Sequence, residues 1–241
     1  GPCDPAFDTT PLGLKPNPNV VMQFIGVKLA WLNPVVRHWE ELRLEHWHQM
    51  GGPLMFYDYF YQTGYIPMYT PHLHAEMARV MQRQGVTSGY GEAYATVGRS
   101  GPKYWLQIKM CLDPSQNPDA LLDRWFKGLF KEAATPVRRC FDLIEQCWKD
   151  YPHHAYHTDG WGTYCFVGGA NLPVLTPSAI EQMDHALREA ETAATSEVVK
   201  KRVALLKDLQ ESTRLAADVL WRHRPYLEPA AFDDQVIGRD L

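Results

Sequence analysis

No apolar run in this sequence reaches the roughly 18 residues that a membrane span requires, so no bilayer crossing is expected. No C-x-x-C pair occurs among the five cysteines Cys3, Cys111, Cys140, Cys147 and Cys165. Their odd number and spacing argue against a zinc knuckle or a disulfide scaffold. Cys140 and Cys147 share a face of a predicted helix but lie about 10 Å apart along it, too far to bridge. An excess of one charge is also absent: the formal net charge is −4, with acids and bases interspersed. That leaves no concentrated basic face for nucleic acid, and Lys200-Lys201-Arg202 reads as the solvated side of a helix. There is no G-x-x-x-x-G-K-[ST] loop, no third glycine to complete a dinucleotide fingerprint around Gly89-Tyr90-Gly91, and no G-x-S-x-G elbow. No cofactor is expected. The N-terminus does not resemble a signal peptide, and Gly1-Pro2 reads as the remnant of a protease-cleavage site.

What is present is a repeated helix start, with a capping side chain before proline: Asn33-Pro34, Thr70-Pro71, Asn117-Pro118, Thr135-Pro136 and Thr176-Pro177. Proline suits the first helical position, where its missing N–H has no partner to lose, and Asn or Thr accepts from the donors that follow. The first two helices are expected to end at Gly51 and Gly85 in the left-handed conformation. Short apolar or β-favouring runs flank them at Val20–Ile25, Leu54–Tyr57 and Val86–Tyr90. The order is therefore β-α-β-α-β, with strand starts 34 and 32 residues apart. A parallel βα unit occupies about 30 residues, and eight such units close a barrel. A third helix is expected from about Pro102 to Leu112.

Apolar stripes follow the helical period. Val35, Trp39, Leu42 and Met50 make one, and Leu73, Met77 and Val80 a second. Beyond Asp113-Pro114 only helical stripes remain: Leu121, Leu122, Trp125, Phe126, Leu129 and Phe130, then Val137, Cys140, Phe141, Ile144, Cys147 and Trp148. Two more helices carry Ile180, Met183, Leu187 and Ala190, and a run from a cap near Ser196 to about Trp221. The expected architecture is α/β: the last three βα units of a TIM-like barrel over residues 12–113, an α-helical region over 114–227 and a tail over 228–241, with a smaller open α/β sheet as the structural alternative.

The order of short motifs resembles a bacterial domain-of-unknown-function family of glycoside-hydrolase-like barrels. The resemblance rests on Lys15-Pro-Asn-Pro-Asn-Val20, Asp58-Tyr59, Ile66-Pro67, Gly85-Val86 and Glu92. It continues through Leu112-Asp-Pro114, Asp119-Ala-Leu-Leu122, Phe126, Ala133-Ala134, Pro136 and Glu189-Ala190-Glu191. That family is distantly similar to the barrels of α-glucuronidases and β-hexosaminidases. The resemblance implies a carbohydrate substrate, hydrolysis as the reaction and a secreted or periplasmic location; the alternatives are a non-catalytic carbohydrate-binding protein and a structural or partner-binding fragment of a larger enzyme. It also implies that earlier barrel strands, from a missing N-terminal part or another subunit, complete the site.

Ligands of α/β folds bind beyond the carboxyl ends of parallel strands, where this chain places Asp58 and Glu92. Glycosidic cleavage commonly uses two carboxyl groups, about 5 Å apart for retention and about 6.5–9.5 Å for inversion. Neighbouring strands lie about 4.8 Å apart, within that range. Glu92, flanked by Tyr90 and Tyr94, is expected as general acid; Asp58 is expected as base, nucleophile or ligand for sugar hydroxyls. Trp31, Tyr57, Tyr59 and Tyr94 are expected to bind substrate, because sugar C–H faces stack on rings, and Phe60 and Tyr61 crowd the same ends. The ten histidines do not assemble a motif. His46 and His48, like His72 and His74, are two apart and do not share a helix face. The run His153, His154, His157 and Asp159 contains legal zinc ligands but no second motif to complete a site, so no metal is expected.

Overall fold

The computed structural model describes residues 15–25, 28–59, 66–93, 97–151 and 173–223. Over these residues it is an α/β structure, mostly helical (71%), with a small parallel sheet. Three strands, β1 (Met22–Ile25), β2 (Leu54–Tyr59) and β3 (Val86–Glu92), lie side by side in that order. Each begins 32 residues after the last. Helices α1 (Pro34–Gln49) and α2 (Pro71–Arg83) connect them, and α3 (Val97–Leu112) follows β3. Four further α-helices follow, α4 (Pro118–Phe130), α5 (Ala134–Asp150), α6 (Pro177–Ala193) and α7 (Glu197–Arg222), and short 3-10 helices lie at Lys28–Leu32 and Lys131–Ala133.

Local chemistry explains most element ends. Asn33 Oδ1 accepts the Val35 N–H at 2.9 Å, Asn117 caps α4 through Ala120 N–H, and Thr176 caps α6 through Ala179 N–H. Ser196 caps α7, and just before that helix the Glu132 carboxylate accepts from the N–H groups of Thr195 and Ser196, each at 2.9 Å. Gly51 and Gly85 adopt φ of 75° and 68°, the left-handed endings expected after α1 and α2.

Expectations change in α5, α3 and α1. Helix α5 begins at Ala134, two residues before Pro136, which sits in the first turn where its missing donor costs nothing. Helix α3 begins at Val97 and carries Pro102 inside it. Helix α7 holds the added turn: Arg99 donates to the Leu209 carbonyl at 2.9 Å, and Gly98 leaves room for the Leu209 side chain. On α1 the stripe Val35, Trp39 and Leu42 faces solvent, with Trp39 66% exposed, and Leu44 is buried instead. Arg43 lies 4.7 Å from the Phe24 ring centroid and Glu40 accepts the Trp31 indole N–H, so polar partners set the rotation of α1.

Two apolar cores result. Phe24, Leu54 and Phe56 on one side of the sheet pack with Trp31, with Leu44 of α1, and with Leu73, Met77, Val80 and Met81 of α2. The larger core gathers the buried stripes of α4 to α7, with Ala75 and Ala78 of α2 and Leu106 and Met110 of α3. Helix α2 thus faces both cores.

Candidate functional site

Alternation along a strand sends successive side chains to opposite faces, while registered neighbours in a parallel pair share a face. Met22 is registered with Leu54, and Phe24 with Phe56. Asp58 continues that series toward the helices. The other face receives Gln23, Ile25, Met55, Tyr57, Ser88 and Tyr90, all half-buried or exposed. It is the open face among the described residues.

Between β2 and β3 the register slips by one: Leu54 is registered with Val86, but Met55 with Ser88, leaving Thr87 as the extra residue. From there Tyr57 aligns with Tyr90, Asp58 with Gly91 and Tyr59 with Glu92. Glu92, two residues after Tyr90, therefore shares the open face with Tyr57. The Tyr57 hydroxyl donates to Glu92 Oε1. The Tyr57 and Tyr90 rings stack with centroids 5.3 Å apart and planes 25° from parallel, and Tyr90 is 56% exposed. One Glu92 oxygen thus faces a tyrosine hydroxyl beside an exposed aromatic surface.

Asp58 and Glu92, expected as a pair, end adjacent strands but point to opposite sides of the sheet. Asp58 is 2% exposed, and the Gln107 amide of α3 donates to its Oδ2 at 3.2 Å. One helical turn earlier, buried Lys103 donates to the Met68 carbonyl at 3.0 Å, and burial pushes its ammonium down to about 7. Trp31 is core: 2% exposed, bonded to Glu40, with the Arg37 guanidinium 5.6 Å from its ring centroid. Tyr94, Phe60, Tyr61 and the side chain of Tyr59 lie outside the described residues, as do His153, His154, His157 and Asp159.

Sequence reasoning missed Gln107, Lys103 and Glu145. Lys103 and Gln107 are four apart on a helix, a spacing that shares a face and is legible once α3 is placed. Glu145 of α5 is buried and replaces Thr70 as the acceptor at the start of α2. It takes the His72 backbone N–H at 3.0 Å and lies 2.6 Å from His72 Nδ1. That carboxylate holds the His72 imidazole above its ordinary pKa. Among the described residues, no three His, Cys, Asp or Glu side chains converge as a metal site would require.

The sequence profile of a family described as a domain of unknown function (DUF4838) matches residues 6–142. The chain belongs to this family. The DUF4838 match takes in the three strands, the open face and α1 to α4, and ends within α5. The resemblance to a domain-of-unknown-function family therefore stands for more than half of the chain. No curated protein and no solved structure matches the chain. Among the described residues, no helix is long and apolar enough to cross a membrane.

Proposed function

We propose that the open face of the sheet is the sugar-facing wall of a glycoside-hydrolase-like site acting on an oligosaccharide or polysaccharide. The observation that carries this reading is Glu92 at the carboxyl end of β3, bonded to Tyr57 and beside the Tyr57–Tyr90 stack. In this reading the three βα units are the last of a TIM-like barrel. A 32-residue repeat, a parallel sheet and helices packed against one face support it, because a barrel covers one face with helices and turns the other inward. Remaining strands come from outside the described residues or from another subunit.

In that site Tyr57 occupies Glu92 Oε1 and leaves Oε2 for a sugar hydroxyl or for the reacting centre. Tyr90 offers a ring to a sugar C–H face. Hydrolysis takes a second carboxyl group about 5–9.5 Å from Glu92, and this group comes from outside the described residues, since Asp58 faces the helices. That same orientation of Asp58 favours a second reading, carbohydrate binding without cleavage.

A glycan array with a hydrolysis readout separates the two. Under the first reading the wild-type protein releases product, while Glu92→Gln retains binding and loses turnover by about 100- to 10,000-fold. Wild-type binding without product selects the second reading. Silence on every glycan removes both.

A further inference from the structure

Position 58 continues the buried series Leu54 and Phe56, yet carries a carboxylate. An apolar side chain would cost less there, because a buried charge must recover its lost hydration through well-placed hydrogen bonds. What a carboxylate adds is direction. The Gln107 amide holds Asp58 from α3, and the next residue back, Tyr57, holds Glu92 from the opposite face. Because α3 follows β3 in the chain, these two bonds close a ring through β2, β3 and α3. Gln107 Oε1 is buried and has no hydrogen-bond partner among the described residues, so its amide is oriented by its nitrogen, toward the acid.

We propose that Asp58 is a positioning residue: clamped by Gln107 behind the sheet, it fixes the end of β2 so that Tyr57 presents Glu92 on the open face. Its consequence for turnover rests on the sugar-site reading above, whereas the clamp itself is measurable without any sugar. Asn at position 58 keeps a hydrogen-bond partner for Gln107; Leu keeps the approximate volume and removes it.

The test compares Asp58→Asn, Asp58→Leu and Gln107→Leu in the full chain by two readouts. The first is NMR of ring-labelled tyrosines, assigned with Tyr57→Phe and Tyr90→Phe. Asp58→Leu and Gln107→Leu are expected to move the Tyr57 and Tyr90 signals together, and Asp58→Asn to leave them in place. Unmoved signals in folded Gln107→Leu overturn the clamp, as does Asp58→Asn behaving like Asp58→Leu; if Asp58→Leu does not fold, Gln107→Leu decides. The second readout is turnover on whichever glycan the wild type cleaves. Asp58→Asn is expected to retain turnover with an unchanged pH profile, and Gln107→Leu to lose about 100-fold in kcat through misplacement of Glu92. Loss of a limb of the pH profile in Asp58→Asn, with tyrosine signals in place, makes Asp58 a reacting group and overturns the proposal. If the wild type cleaves no glycan, the hydrolase reading fails and the tyrosine signals alone judge the clamp.

Discussion

The indole N–H of Trp148 in α5 donates to the carbonyl oxygen of Pro67 at 2.7 Å, joining residues 81 apart in the sequence. Pro67 lies in the buried stretch 66–70 just before α2, where Lys103 donates to the next carbonyl, that of Met68. Irregular backbone can be buried only if its polar groups find partners. Side chains from α5 and α3 supply them and tie the sheet to the helical layer. Trp148→Phe leaves the Pro67 acceptor unmet and is expected to lose about 1–3 kcal/mol, read from urea unfolding midpoints. An unchanged midpoint would remove this bond from the account.

The rotation of α1 gives two neighbouring leucines opposite values. Leu44 is fully buried, and Leu44→Ala should lose about 2–5 kcal/mol. Leu42 faces solvent, and Leu42→Ala should stay within about 0.5 kcal/mol of wild type. Equal losses in thermal or urea unfolding would contradict the rotation described.

Two glycines respond to alanine with opposite signs. Gly85 has φ of +68°, and an added Cβ would lie 2.9 Å from His48 Cε1, so Gly85→Ala should lose at least about 1–2 kcal/mol. Gly128 lies inside α4 with nothing within 4 Å of an added Cβ, so Gly128→Ala should gain about 0.5–1 kcal/mol. Melting temperatures of both variants check the pair of signs.

Lys103 makes stability depend on pH in a definite direction. Burial lowers its pKa from 10.5 in the unfolded chain to about 7 in the fold. Between those values the unfolded chain binds the extra proton, so its contribution rises with pH from about 7 to 10.5. Urea midpoints across that range should show the rise in wild type and a flatter profile in Lys103→Met. Identical slopes would show that the ammonium is not buried.

Much of the fold was legible in the chain because helix ends are local. Asn33, Asn117, Thr176 and Ser196 meet donors two or three residues away, and Gly51 and Gly85 take a conformation only glycine adopts freely. The stripes of α4 to α6 were legible because those helices bury apolar faces in one shared core. The stripe on α1 misled, because periodicity identifies a face but not its partner. Pro102 misled for a related reason: the turn before it is held by Leu209, a residue far along the chain.

The sequence by itself determined the βα order, the parallel sheet and the presence of Asp58 and Glu92 at adjacent strand ends. Propensity, capping and spacing act over a few residues or one repeat, and all three are written in the chain. Only the tertiary structure decided that the two acids part. Because side chains alternate with a period of two, a slip of one residue at Thr87 turns everything after it to the opposite face. That slip comes from pairing between strands and from what each face must cover, interactions that exist only once distant segments meet.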